Sequence, residues 1–350
     1  MTADAAGGVW TYALDLSRAL AARTIDVTLA VMGPSPSPAQ RAEARGIDLR
    51  VGDYKLEWME DPWLDVDRAG DWLTSLEQEI APDIFHLNGY CHATLTTRAP
   101  KLVVAHSCVL SWWEAVHGEP APASWNEYRK RVAAGIAAAD FVVGPTRAML
   151  ASIERNYGPL GPSAVIPNGR DAQIFAPAAK EPFILTAGRF WDRAKNLDSL
   201  DRAARSLDWP VYAAGEGGSA TEIRALGRLS AQDLRAWLAR ASIYALPARY
   251  EPFGLSILEA ALCGCALIIG DIPSLRETWD GAAMFVPPDD SEFLADQLQY
   301  LIRSPEPRER LQREARMRAE WFTVDRMAGA YQSCYSALRC LSHPAAVFNS

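Results

Sequence analysis

Short apolar runs alternate with amphipathic stretches from one end of the chain to the other. Runs rich in β-branched residues predict strands at 27–32, 84–87, 102–105, 141–144 and 164–166. The pattern resumes at 183–187, 211–214, 243–246, 266–269 and 283–286. Between the strands lie helix patterns. Val9, Ala13, Leu16 and Leu20 recur at spacings of four, three and four, which predicts a helix over 9–22. Similar patterns cover 69–80, 125–139, 147–157, 230–241 and 291–303. Ser230, with Asp233 three residues on, has the form of a capping box and fixes one helix start. Strands that are nearly all apolar and alternate with helices predict parallel sheets buried on both faces. The fold class is α/β.

A chain of 350 residues is long enough for two domains. The stretch 171–182 carries Pro177 and Pro182 and has no periodicity, so it reads as a linker. Residues 1–170 and 183–322 then each hold enough strands for a sheet of their own. The chain start is unusual. Gly7-Gly8 leads straight into a helix, and only residues 1–4 could supply the strand that such a turn normally follows. That is short for a strand, so the first strand is expected to be truncated, with the true start upstream.

Charge narrows the possible partners. Lys plus Arg total 35 against 43 Asp plus Glu, a net charge of −8. Nucleic acid needs clustered basic groups, so it is not an expected partner, and an anionic membrane surface is disfavoured for the same reason. Residues 1–170 are themselves acidic, with 15 basic against 20 acidic residues. Six scattered cysteines are too few for a disulfide framework and read as reduced, mostly buried thiols. Cys263 and Cys265 stand too close together for the usual zinc or redox pair. No secretory signal is recognised. The most apolar stretch, 255–269, is 15 residues long and is broken by Glu259 and Gly264, short of a membrane span. A cytoplasmic protein without stable membrane insertion is expected.

The chemistry gathers around residues 251–265. A proline and a glycine follow Glu251, and a helix then runs from about 255 to 262, apolar almost all round. A carboxylate inside such a helix is costly unless it has a partner. Glu259 is either satisfied by a neighbouring arginine or held ready for sugar or ribose hydroxyls, with the helix N-terminus aimed at phosphate. Glu251 lies in the loop after the strand 243–246, where open α/β sheets bind ligands.

These residues carry a resemblance. The string Pro247-Ala248-Arg249-Tyr250-Glu251-Pro252-Phe253-Gly254 leading to Glu259 resembles the E-x7-E signature of the retaining glycosyltransferases of family 4. Gly188-Arg189 with Lys195-Asn196 resembles that family's basic diphosphate-binding segment, with one extra residue between Arg and Lys, so Arg193 could share the role of Lys195. Gly215-Glu216-Gly217 resembles its Gly-x-Gly turn, and Gly227-Arg228-Leu229-Ser230 the loop beside the base. Ile166-Pro167-Asn168-Gly169 resembles the turn closing the first domain. Gly7-Gly8 and His106-Ser107 match two first-domain positions that touch the donor. The ordered set spans nearly the whole chain.

The resemblance implies a GT-B fold, two Rossmann-like domains with parallel sheets facing across a cleft. The second domain would bind the nucleotide-sugar, and the segment 323–341 would cross back to the first. Implied is a retaining transfer, of a hexose by expectation, from a nucleotide-diphosphate sugar to a carbohydrate or small-molecule hydroxyl, in carbohydrate biosynthesis. The sugar donor is a substrate; no cofactor or metal is expected. Arg189 and Lys195 would neutralise the leaving diphosphate, Arg as a fork and Lys as a point charge. Glu251 would hold the donor sugar or act as nucleophile, and His106 would reach sugar hydroxyls or developing charge. Gly7, Gly8, Gly215, Gly217, Arg228, Leu229, Phe253, Gly254, Leu255, Ser256 and Glu259 would complete the donor site.

Each signal has a plainer alternative. Gly-Gly turns are often structural, Arg189 and Lys195 could be solvated charges, and His106 could be a satisfied wall residue. Asp65-Val66-Asp67 has the form of a metal-binding D-x-D, but it sits in an acidic stretch rather than a strand-end loop. The carboxylates and aromatics of 53–67, with Trp112 and Trp113, are candidates for the acceptor side or for core. A GT-B phosphorylase, a nucleotide-sugar hydrolase or epimerase, and a non-catalytic nucleotide-sugar-binding module are the rival readings. A dehydrogenase is disfavoured because no strand is followed by a full G-x-G-x-x-G. Donor, acceptor, linkage and oligomeric state are not legible.

Overall fold

Apolar strands with helical crossovers can pair only in parallel if each crossover is to cover a sheet face, and all the strand pairs in the computed structural model, which describes residues 1–342, are parallel. The chain divides into two units. The first comprises Met1–Trp113, Pro120–Gly169 and the segment from Val324, and the second comprises Glu114–Glu119 and Arg170–Thr323.

In the first unit β1 (Thr2–Asp4), β2 (Thr28–Met32) and β3 (Asp48–Val51) form one sheet. A second sheet has the order β4 (Phe85–Leu87), β5 (Lys101–Val104), β6 (Phe141–Gly144) and β7 (Ser163–Val165). Asn88, directly after β4, links the two: its backbone N–H donates to Thr2 Oγ1 at 2.8 Å and its Nδ2 to the Thr2 carbonyl at 2.6 Å. A cavity of about 640 Å³ lies beside β1, bounded by Met1, Thr28, Ile84, His86 and Tyr335 among others. The helix Val324–Ser342 belongs to this unit. Its Met327, Ala328, Tyr331 and Leu338 join Trp10, Leu14, Leu16 and Leu20 in one buried cluster.

The helix Asn126–Ala138 packs on the turn Cys91–Thr94 through Gly135. A methyl group there would stand 2.1 Å from the Tyr90 carbonyl oxygen, a backbone atom that cannot swing aside. Gly135→Ala is therefore expected to lower stability by about 1–3 kcal/mol, despite the better helix propensity of alanine. Urea unfolding of the two proteins checks it.

The second unit holds a six-stranded sheet ordered β10-β9-β8-β11-β12-β13, with β8 (Glu181–Ala187), β9 (Val211–Ala214), β10 (Arg224–Gly227), β11 (Ala241–Leu246), β12 (Ala266–Gly270) and β13 (Met284–Val286). Strand order reverses between β8 and β11, which are neighbours in the sheet. The loops leaving those two strands therefore open side by side at the carboxyl edge, the usual ligand position in such sheets.

Several elements differ from expectation. The helix expected at 69–80 starts earlier, at Trp63, so Asp65 and Asp67 lie in its first turns. β3 and β10 were not expected. Nor were the helices Pro38–Glu43, Val109–His117, Leu197–Ala204, Pro273–Trp279 and Pro305–Ala319. Apart from the short second-unit segment Glu114–Glu119, the chain passes between units at Gly169–Arg170 and Thr323–Val324. Within 171–182 there are a helical turn at Ala172–Ile174 and the first residues of β8.

Candidate active site

In the second unit, the loop after β8 carries Gly188, Arg189 and Lys195, and the loop after β11 carries Glu251 to Gly254. Asn196 ties the two loops together. It sits in the left-handed region at φ 56° and its Nδ2 donates to the Pro247 and Pro288 carbonyls at 2.9 and 2.6 Å. Lys195 is thereby directed at Glu251, with Nζ 2.6 Å from Oε2; the two side chains are 15% and 12% exposed. Ser274 Oγ donates to the Glu251 carbonyl at 2.6 Å and fixes the backbone beneath it. Arg193 is exposed, and its carbonyl accepts from Arg249. Of the two candidate cations after Arg189, Lys195 is the one brought to Glu251. Arg189 lies with its guanidinium carbon 5.2 Å from the centre of the Trp191 ring.

The helix Leu255–Leu262 begins three residues beyond Pro252. Its N-cap, Gly254, is left-handed at φ 89°, and no side chain caps the first turn. A helix N-terminus without a side-chain cap leaves backbone donors for an anion. Ser256 in that turn accepts from the Tyr244 hydroxyl at 2.8 Å, and the same hydroxyl contacts the Ala187 carbonyl at 3.1 Å. One fully buried tyrosine thus fixes the helix start to the end of β8, and burial pushes its phenol well up. Phe253 is buried edge-on against Phe322.

Glu259, one turn along, has Arg170 as a partner, with Nε 3.0 Å from Oε1. The plainer alternative for a carboxylate in this apolar helix is therefore present in the structure. Sequence pattern placed Asn168-Gly169 in a turn but gave no signal that the next residue reaches Glu259.

The Gly215-Glu216-Gly217 turn nests on the loop after β8. Gly215 N–H donates to the Gly227 carbonyl at 2.9 Å, and Phe190 N–H to the Glu216 carbonyl at 2.8 Å. A Cβ on Gly215, at φ 151°, would stand 1.8 Å from the Gly188 carbonyl oxygen, so only glycine fits. Gly217, at φ 78°, meets the Trp191 backbone in the same way. Arg228 is exposed, 3.8 Å from Glu216, and Leu229 packs partly buried on the core.

The first unit brings Gly7, Gly8 and His106 to its own carboxyl edge. Gly7 precedes the helix Gly8–Ala21, which again has no side-chain cap at its start. His106 follows β5 and packs edge-on against Tyr12, ring centres 4.5 Å apart. Asn88 fixes its protonation. Because Asn88 Nδ2 donates to Thr2, its Oδ1 faces the imidazoles and accepts from His106 Nε2–H at 2.9 Å and from His86 Nε2–H at 3.2 Å. His86 Nδ1 then accepts from the Tyr335 hydroxyl at 2.6 Å. Burial drives the His106 pKa down to about 3 and that of His86 well below the ordinary range. Both rings are neutral at pH 7, and the His106 Nδ1 lone pair is unprotonated.

The other candidates are committed within the first unit. Glu57, in the acidic-aromatic segment, accepts from the Tyr90 and Cys91 amides and so holds the turn after β4. Asp65 accepts from the Lys55 amide at 3.3 Å, and Asp67 pairs with Arg131 at 2.6 Å. Trp112 and Trp113 lie in the helix Val109–His117 with their rings tilted at 66°. All six cysteines are free, four of them buried. Among the described residues, no helix is long and apolar enough to cross a membrane.

Comparison with known proteins agrees with this layout. Residues 6–174 match the family Glycosyltransferase Family 4, and residues 169–318 match Glycosyl transferases group 1. A glycogen synthase of Mycobacterium tuberculosis is 26% identical, across 91% of this chain and 89% of that protein. Among solved structures, sucrose-phosphate synthase from Thermosynechococcus elongatus has a TM-score of 0.81 at 20% identity, covering 97% of this chain and 96% of that one. Anabaena HepE, solved in complex with UDP and glucose, has a TM-score of 0.77 at 16% identity, covering 95% and 96%.

Proposed function

Because the chain belongs to the glycosyltransferases of GT-B fold, with a family 4 domain followed by a group 1 domain, we propose that it transfers a sugar, with retention at the anomeric carbon, from a nucleotide-diphosphate sugar to an acceptor hydroxyl. The observation that carries this reading is the Lys195–Glu251 pair set beside the start of the helix Leu255–Leu262, where no side chain caps the first turn. Positive charge and backbone donors stand next to a carboxylate suited to sugar hydroxyls.

The anomeric C–O bond to the diphosphate breaks, and its electron pair leaves on the phosphate oxygen. Lys195, Arg189 and the amides near Gly254–Ser256 stabilise that charge, the largest contribution expected in a site of this kind. They supply what a divalent ion would otherwise supply. The acceptor oxygen bonds to the anomeric carbon from the face the diphosphate leaves, and its proton passes to the departing phosphate oxygen. Glu251 holds the donor sugar; an ion pair at 2.6 Å makes a carboxylate a weaker nucleophile, which favours holding over covalent attack. Glu259 holds the ribose. Neutral His106 offers Nδ1 as an acceptor to a sugar hydroxyl. We place the reaction in the cytoplasm, where nucleotide-sugars are available.

A thermal-shift series with UDP, GDP, ADP and CMP tests the donor site. At about 100 times the dissociation constant one-site binding adds about 2.7 kcal/mol, a shift of roughly 5–10 °C for a domain of this size. One diphosphate is expected to give that shift, and Glu259→Ala to lose it. Silence with all four would overturn the reading. Product analysis with and without phosphate, with NMR of the anomeric configuration, then separates retaining transfer from phosphorolysis and hydrolysis.

A further inference from the structure

Arg170 stands at a singular place in the chain. It is the first residue of the long second-unit segment Arg170–Thr323, and Thr323 is the last. The two strands of the crossing are joined there: Arg170 N–H donates to the Phe322 carbonyl at 3.0 Å, and Arg170 and Thr323 form a parallel bridge. Its side chain turns into the second unit. The guanidinium carbon lies 5.2 Å from the centre of the buried Phe175 ring, and Nε lies 3.0 Å from Glu259 Oε1. Both charged side chains are largely out of water, 9% and 12% exposed.

A buried ion pair of this kind returns little net stability, because desolvation offsets most of the attraction. Its value lies in geometry. A guanidinium is planar and rigid, and Arg170, packed on the Phe175 ring, presents a fixed positive charge to the Glu259 carboxylate. A carboxylate has about four lone-pair positions, so pairing with a guanidinium is compatible with accepting from hydroxyl donors as well. We propose that Arg170 is a positioning residue that sets ribose specificity: it holds Glu259 in the orientation that accepts from ribose hydroxyls and anchors that orientation to the chain crossing. The inference rests on Glu259 being the ribose-binding group.

The test compares UDP, GDP, ADP and CMP, each with its 2′,3′-dideoxy analogue, by calorimetric binding to the full-length protein. Hydrogen bonds to a charged group predict that the wild type prefers the ribose form of its nucleotide by about 10–100-fold. Glu259→Gln and Arg170→Met are each expected to reduce that preference below about threefold. In turnover the donor KM rises in both variants while kcat changes little. Arg170→Lys, which keeps charge but not the planar fork, restores only part of the preference. If Arg170→Met does not fold, Arg170→Gln takes its place. A wild type that does not distinguish ribose from dideoxyribose overturns the assignment of Glu259, and this proposal with it. Discrimination lost in Glu259→Gln but intact in the folded Arg170 variants overturns this proposal alone.

Discussion

Replacing Lys195 with methionine is expected to lower kcat by about 10²–10³-fold, the usual cost of removing one preorganised group that stabilises transition-state charge. Two effects act together. The departing phosphate oxygen loses a point charge, and Glu251, 12% exposed, is left without the ammonium that faces it at 2.6 Å. An unpaired carboxylate beside a diphosphate then repels it. The second effect makes the prediction specific: in the double variant Lys195→Met with Glu251→Gln, that repulsion is gone, so the double variant is expected to be more active than Lys195→Met alone. Glu251→Gln by itself keeps Lys195 for the diphosphate and is expected to raise the donor KM more than it lowers kcat. Steady-state product formation, with melting curves to show that each variant is folded, provides the numbers. A kcat within threefold of wild type in Lys195→Met overturns the leaving-group role.

The first unit is expected to lose stability as pH falls from 7 to 5, and three histidines, with the desolvated Met1 amine, are the cause. His86 and His92 are buried, His106 is half-buried, and desolvation lowers the pKa values of all three, that of His106 to about 3. In the unfolded chain each returns to a value near 6.5. Below that pH the unfolded chain takes up protons that the folded one refuses, so stability is intact above about 6.5 and drains away as pH falls toward 3. His106 alone accounts for about 2 kcal/mol between pH 7 and 5, and the other two act in the same direction. Carboxylates are still ionised at pH 5 in the unfolded chain, and the Met1 amine, its pKa lowered by burial to about 5, acts in the same direction as the imidazoles. Urea midpoints at the two pH values measure the loss, and His106→Asn is expected to flatten the slope. Equal midpoints at pH 5 and 7 would show that these rings do not stay neutral. Activity, in turn, should show no histidine inflection between pH 5.5 and 8 while the protein stays folded.

The elements legible in the sequence were those whose apolar residues face the core continuously. β6, β9 and the helices Arg147–Tyr157 and Ser291–Arg303 have their expected bounds. What escaped were elements with only a narrow or exposed apolar face. β10 reads Arg-Ala-Leu-Gly on a sheet edge and has no fully buried residue, and β3 alternates charge with half-buried residues. The helix Pro305–Ala319 is mostly charged and buries only Leu311, Ala315 and Ala319, each four residues after the last. At the site, Lys195 and Glu251 were legible because each belongs to a compact local pattern. The roles of Arg170 and Asn88 were not, because each comes from a contact between residues far apart in the chain. The cost of burying Glu259 showed that a partner was needed, but only folding reveals that it is Arg170.

The ownership of the last helix has a consequence for the order of biosynthesis. Met327, Ala328, Tyr331 and Leu338 complete the apolar cluster around the helix Gly8–Ala21, yet they emerge from the ribosome only after the whole of Arg170–Thr323. At about 5–20 residues per second the nascent first unit waits on the order of 10–30 s with one face of its core uncovered. The second unit, encoded almost entirely in one continuous stretch, faces no such delay. It can be complete while its elder neighbour is still waiting, and that interval is when a chaperone would find its target.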